Sequence, residues 1–153
     1  MPSNYTIAQV LKRVAYYRDI CAEDPGNYPD AAWMIQGFAG GRLDELYPNE
    51  GLKALERTNE YSDEVLATIA EVIEDKPVNA LSQERQGVPL TVLDIVDIKG
   101  VGAVTARTLF EELGVADLPS LRVAINDNRI GQVKGFGAKT IEKITAYLDK
   151  KGL

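Results

Sequence analysis

The chain has 153 residues, 45% of them apolar and 26% charged, with a formal net charge of −6, the profile of an ordinary soluble globular protein with room for one domain or two small ones. One cysteine, Cys21, and no histidine exclude an intrachain disulfide, Cys-rich zinc sites and any Ser-His or Cys-His catalytic pair. No apolar run approaches bilayer length, and Met1-Pro2-Ser3-Asn4 lacks the basic and apolar regions of a signal peptide, so a cytoplasmic protein without membrane contact is expected.

From Tyr5 to about Glu23, Ile7, Val10, Leu11, Val14, Ala15, Tyr17 and Ile20 recur at helical spacing, with Ser3 or Asn4 as the cap. Asp24-Pro25-Gly26-Asn27 is a turn signal. Pro29-Asp30 opens a second helix through Ile35 and Phe38, ended by Gly40-Gly41. Trp33 on it reads as a core anchor, with a solvent-facing stacking platform for a base as the alternative. Leu43 to Leu55 reads as a shorter helical region broken at Tyr47-Pro48-Asn49. A firmer helix follows Asn59 or Ser62, carries the stripe Val65, Leu66, Ile69, Val72 and Ile73, and ends at Lys76-Pro77. Its acidic residues Asp63, Glu64, Glu71, Glu74 and Asp75 read as a solvated face rather than a metal site.

Gly87-Val88-Pro89 marks a boundary, giving a helical domain over 1–87 and a second domain over 88–153. Leu90 to Ile98 makes a short helix, Ala103 to Leu113 the next, stopped by Gly114, and Pro119 to Asn126 a connecting helix. Arg129 to Val133 leads into a second turn and Ala138 to about Lys150 closes the chain. No stretch sustains two-residue alternation, so the fold class is all-α.

Ile98-Lys99-Gly100-Val101-Gly102-Ala103 and Val133-Lys134-Gly135-Phe136-Gly137-Ala138 are one phrase written twice at an offset of 35 residues. Each copy sets a bulky apolar residue between two glycines and runs into a helix. Glycine permits positive φ and close backbone approach, and the new helix start offers free N–H groups and the positive dipole end. That combination holds an anion. A lone copy would read as a tight turn; duplication with matched lysines favours phosphate. The charge distribution agrees, with 8 basic and 17 acidic residues over 1–97 against 9 basic and 6 acidic over 98–153. A basic excess confined to one half is a mark of a nucleic-acid-facing module, although a salt-bridged interface between halves would also produce it.

The run Ile98-Lys-Gly-Val-Gly-Ala-Val-Thr-Ala-Arg-Thr-Leu-Phe-Glu-Glu-Leu-Gly-Val115, then Leu118-Pro-Ser-Leu121, then Arg129-Ile-Gly-Gln-Val-Lys-Gly-Phe-Gly-Ala-Lys-Thr-Ile-Glu-Lys-Ile144, resembles the tandem helix-hairpin-helix region of bacterial and archaeal family X DNA polymerases, over residues 89–148. Residues 5–86 resemble the small lyase-like domain that precedes it in those enzymes. Two departures stand out: Leu55-Glu-Arg-Thr-Asn-Glu-Tyr-Ser-Asp-Glu-Val65 lacks that domain's Gly-x-Gly, and no lysine lies between Ala54 and Asp75 to form a Schiff base. Pro29-Asp-Ala-Ala-Trp-Met-Ile35 stands where that domain carries a basic helix. Catalytic residues are therefore not assigned, and the polymerase palm is not expected.

The resemblance implies two hairpins related by a local twofold that grip a DNA backbone across a minor groove without reading sequence. The first contact set is the N–H groups of Gly100, Gly102, Ala103 and Val104 with Lys99 and Arg107. The second is Gly135, Gly137, Ala138 and Lys139 with Lys134 and Lys143. Family hairpins commonly carry proline at the two lysine positions; Lys99 and Lys134 read as added phosphate attraction, or as solvent-exposed bystanders. The resemblance also implies a monovalent cation, Na+ or K+, held by the carbonyls of Val96, Ile98 and Val101 and of Gly131, Val133 and Phe136; no organic cofactor is expected. The function expected is a DNA-binding module for gapped, nicked or duplex DNA, accessory to repair or replication and open to a repair or replication protein as partner. The alternatives are a deoxyribose-phosphate or abasic-site lyase using a relocated lysine such as Lys53 or Lys76, and an adaptor whose hairpins bind protein.

Overall fold

A computed structural model describes residues 2–153. Among them the secondary structure is helical, with one isolated bridge between Arg85 and Val88 and no strand, so the all-α expectation holds. No described helix is long and apolar enough to cross a membrane. The chain forms two compact units: residues up to Arg18 with Asp24–Gln83, and Asp19–Glu23 with Glu84–Leu153.

In the first unit, α1 (Asn4–Ile20) buries Ile7, Ala8, Leu11, Val14 and Ala15, a stripe at helical spacing. Ser3 caps it, its Oγ accepting the Thr6 N–H at 3.1 Å. Asn4 acts elsewhere. Its carboxamide accepts the Leu43 N–H at 3.0 Å and donates to the Gly41 carbonyl at 2.9 Å, which anchors the start of α3 (Leu43–Glu50). α2 (Tyr28–Gln36) buries Tyr28, Ala31, Ala32 and Ile35. α4 (Lys53–Glu56) and α5 (Asp63–Ile73) complete the layer, and Leu55, Val65, Ile69 and Ile73 close the core. Ser62 settles where α5 begins, its Oγ accepting the Val65 N–H at 3.3 Å.

Two readings of this half change and a third gains detail. Pro48 does not break α3; its fixed φ suits a helix, and the break falls at Gly51, whose φ of 62° and ψ of −132° favour glycine. Trp33 is not a core anchor: it is 78% exposed, because the buried stripe of α2 is filled by Tyr28, Ala31, Ala32 and Ile35 and the indole lies off it. The acidic residues on and just after α5 keep the expected exposed face, Glu71 alone half-buried, with no metal-ligating cluster among the described residues, and three of them are paired there. Glu64 receives the guanidinium of Arg18, which also lies 4.8 Å over the Tyr28 ring. Glu71 accepts the Asn79 N–H at 2.7 Å, and Glu74 takes Lys76 at 2.7 Å and the Tyr47 hydroxyl at 2.7 Å.

The second unit begins with the pairing of Arg85 and Glu23 at 2.6 Å. Its helices are α6 (Val92–Val96), α7 (Ala103–Leu113), α8 (Leu118–Asn126) and α9 (Ala138–Lys150), with a 3-10 turn at Arg129–Gln132. α6 packs on α7 and α8 on α9. α7 stops where the chain turns left-handed at Gly114, with φ of 67°, the Gly114 N–H bonding to Phe110 and the Val115 N–H to Leu109. α8 starts in a capping box, the Asp117 carboxylate accepting the Ser120 N–H at 2.8 Å while the Ser120 hydroxyl accepts the Asp117 N–H at 3.2 Å. The Ser120 side chain first and its N–H second hold the Asp117 carboxyl below the usual carboxylate range. A lowered folded-state value means stability that is present above the unfolded carboxylate range and lost as pH falls through the folded one. Asp117→Ala is expected to cost about 1 kcal/mol at neutral pH, with Asp117→Asn keeping most of the cap and removing its acid dependence. Urea unfolding followed by circular dichroism at neutral and acidic pH checks both.

Candidate nucleic-acid interface

Each hairpin is built by the same bonds. The Ile98 N–H bonds to Ile95 at 3.1 Å, the Val101 N–H to Ile98 at 3.0 Å and the Ala106 N–H to Gly102 at 3.0 Å. Thirty-five residues on, the Val133 N–H bonds to Ile130 at 3.2 Å, the Phe136 N–H to Val133 at 3.3 Å and the Ile141 N–H to Gly137 at 3.1 Å. Apolar residues of the two loops are buried in matching pairs, Ile98 with Val133 and Val101 with Phe136, as are Leu109 and Ile144 in the helices that follow. They pull the loop inward and leave the backbone of the glycines outside. Gly100 and Gly135 turn with φ of 91° and 97°, values that favour glycine, and an added Cβ at either, or at Gly102 or Gly137, would meet nothing within 4 Å.

Residues 92–150 match the SAM-like helix-hairpin-helix tandem family. They are a tandem helix-hairpin-helix domain. The chain also resembles the DNA polymerase/3'-5' exonuclease PolX of Bacillus subtilis (strain 168), at 30% identity over 86 residues. That match covers 56% of this chain and spans 15% of the length of PolX.

Within the tandem domain the two long helices that follow the hairpins start without a side-chain cap, as α6 does, whereas α8 starts capped. α5 and α8 spend side-chain oxygens of Ser62 and Asp117 on their first N–H groups. α7 and α9 begin on Gly102 and Gly137, with no side-chain cap, so the N–H groups of their first turns stay available to an outside acceptor, at the positive end of an 11- and a 13-residue dipole.

The side chains around the two hairpins are not equivalent. Lys99 and Lys134 are matched and both exposed. At the shared offset, exposed Lys139 stands where the first hairpin has Val104, and Lys143 where it has Thr108. Arg129 and Gln132 correspond to Asp94 and Asp97. Arg107, assigned to the first contact set, gives its Nε to Glu111 at 2.9 Å, so part of its charge is already met. Val104 is 79% exposed and lines a cavity of about 420 Å³ with Asp19, Arg107, Thr108 and Glu111, two of them acidic. In sequence register the second hairpin carries more basic residues, although Arg129 is already paired with Asp127 at 2.9 Å.

Lys143 is placed differently from its assignment to the second hairpin. It lines a cavity of about 570 Å³ with Lys99 and Gly100 of the first hairpin, over a floor of Ile98, Ala146 and Tyr147. Lys150 lines the same cavity and was not among the residues expected at the site. Its signal was the spacing Lys143, Ala146, Tyr147, Lys150, one face of α9 at three- and four-residue steps. Lys134 and Lys139 lie outside that cavity. The arrangement can attract and position a polyanion; it contains no nucleophile–base pair.

Of the two lysines named as relocated lyase nucleophiles, Lys76 is the less fit. Its hydrogen bond to Glu74 raises its pKa, holding the amine protonated, the opposite of what imine formation requires.

Proposed function

We propose that this chain binds DNA through the sugar-phosphate backbone, without reading base sequence, and serves as an accessory in DNA repair or replication. The observation that carries this is the pair of hairpins with identical backbone bonding, each presenting exposed glycines at an uncapped helix start beside an exposed lysine. The tandem helix-hairpin-helix match and the resemblance to a DNA polymerase and exonuclease support the same reading. The N–H groups of Gly100, Gly102, Ala103 and Val104 take one phosphate run, and those of Gly135, Gly137, Ala138 and Lys139 the other. Lys99 is reinforced by Lys143 and Lys150, while Lys134 and Lys139 serve the second hairpin.

The residues suit a hard monovalent cation. The donors are all backbone oxygens, and the carbonyls of Ile98 and Val133, which accept the Val101 and Phe136 N–H groups, each retain a second lone pair. Val96, Ile98 and Val101 would hold Na+ or K+ at the first hairpin, and Gly131, Val133 and Phe136 at the second. Held there, such an ion would add positive charge to the hairpin's attraction for a phosphate.

Fluorescence anisotropy with labelled gapped, nicked and intact duplexes of unrelated sequence tests the reading. Binding is expected to be indifferent to sequence and to weaken with salt, with a log–log slope of about −0.9 for each phosphate neutralised. Absence of binding to all three duplexes at low salt overturns it.

A further inference from the structure

The hairpins leave unused a groove in the first unit, on either side of Trp33. An indole is usually among the more buried side chains, yet this one is 78% exposed. On one side Trp33, Met34, Phe38, Leu55 and Tyr61 line a cavity of about 570 Å³. On the other, Trp33 and Met34 line a cavity of about 450 Å³ with Asn27, Asp30 and Glu60. Trp33, Met34 and Glu60 belong to both, so the two cavities form one furrow with the indole between them. Volumes of this size take several side chains.

The walls are set in advance of any ligand. The Asn27 carboxamide oxygen accepts the Ser62 N–H at 2.9 Å, and the Thr58 hydroxyl donates to the Leu55 carbonyl at 2.9 Å, which fixes the segment facing α2. Phe38 packs against the core and lies so close to Gly40 that a Cβ there would come within 2.5 Å of its ring.

Charge decides what fits. Asp30 and Glu60 are the acidic side chains lining the furrow, and neither lining includes Lys or Arg. The surrounding unit, residues 1–18 and 24–83, carries 12 acidic and 7 basic residues. Such a surface repels phosphate and attracts cations, and an exposed Trp face adds the quadrupole attraction that aromatic rings offer to ammonium and guanidinium groups. We propose that this furrow docks an extended basic segment of a partner protein, with an arginine or lysine side chain laid over Trp33 between Asp30 and Glu60. Single-stranded nucleic acid, which would stack a base on the same indole, is disfavoured by the two carboxylates.

The proposal is independent of the hairpins and is tested apart from them. Trp33 is the one tryptophan of the chain, so its emission reports the furrow directly. Titration of the full chain with a hexa-arginine peptide is expected to shift that emission saturably, and a deca-thymidylate is expected to leave it unchanged. By anisotropy of labelled hexa-arginine, Trp33→Ala and the pair Asp30→Asn with Glu60→Gln should each weaken binding about tenfold. The pair Glu84→Gln with Glu112→Gln removes the same charge at exposed positions of the other unit and should leave affinity near that of the unaltered chain. Circular dichroism establishes that each variant is folded. Equal weakening by the control pair, no effect of Trp33→Ala, or an emission response to deca-thymidylate in place of hexa-arginine overturns the proposal.

Discussion

Replacing Lys134 and Lys139 together by glutamate is expected to lower the affinity for duplex DNA roughly fiftyfold and to flatten the salt dependence by about two units of slope, one for each phosphate no longer neutralised. Reversing Lys99 and Arg107 at the first hairpin should do less, about tenfold, for two reasons. Arg107 already shares its charge with Glu111, and Lys99 has Lys143 and Lys150 around the same cavity, so a phosphate there keeps two cations when Lys99 is replaced. At the second hairpin, by contrast, Lys139 stands where the first has the exposed, uncharged Val104. Anisotropy titrations of the two double variants over a range of salt concentrations measure both quantities. An equal loss from the two pairs would mean that the hairpins contribute equally despite their different surroundings. No loss from either would remove the lysines from the interface.

Gly137→Ala and Gly135→Ala are expected to separate binding from folding. Gly137 has φ of −82° and ψ of 171°, ordinary extended backbone, and its Cβ would meet no atom within 4 Å. Alanine there should leave stability within about 0.5 kcal/mol. Its methyl group nevertheless stands at the uncapped start of α9, where a phosphate must approach the N–H groups, so DNA affinity should fall about tenfold, near 1.4 kcal/mol. Gly135 turns with φ of 97°, where a Cβ is strained whatever space surrounds it. Gly135→Ala should therefore cost about 1 to 2 kcal/mol of stability and distort the hairpin as well. Urea unfolding by circular dichroism and anisotropy on the same preparations test the pair. Full DNA affinity in Gly137→Ala would place the contact on side chains rather than on backbone amides.

Local spacing made much of the fold legible. The stripe of Ile7, Leu11 and Val14, the stop at Gly114 and the repeat of Gly100-Val101-Gly102 at Gly135-Phe136-Gly137 rest on periodicity and on glycine stereochemistry, which act over a few residues and are readable in order along the chain. The same locality explains the misplaced residues. Trp33 read as core because indoles are usually buried, but whether a given side chain faces inward depends on which stripe of the helix meets the other helices, and on α2 Tyr28, Ala31, Ala32 and Ile35 took that place. Pro48 read as a break because proline ends many helices; here Gly51 makes the turn.

From sequence alone came the helical class, the doubled hairpin and the resemblance to a polymerase family, all of them consequences of short-range pattern. Only the tertiary structure brought Lys143 and Lys150 of α9 beside Lys99, joined Arg18 to Glu64 across 46 positions, and opened the furrow around Trp33. These depend on how helices distant in the chain settle against one another to bury their apolar stripes, and that packing is a property of the folded whole rather than of any one segment.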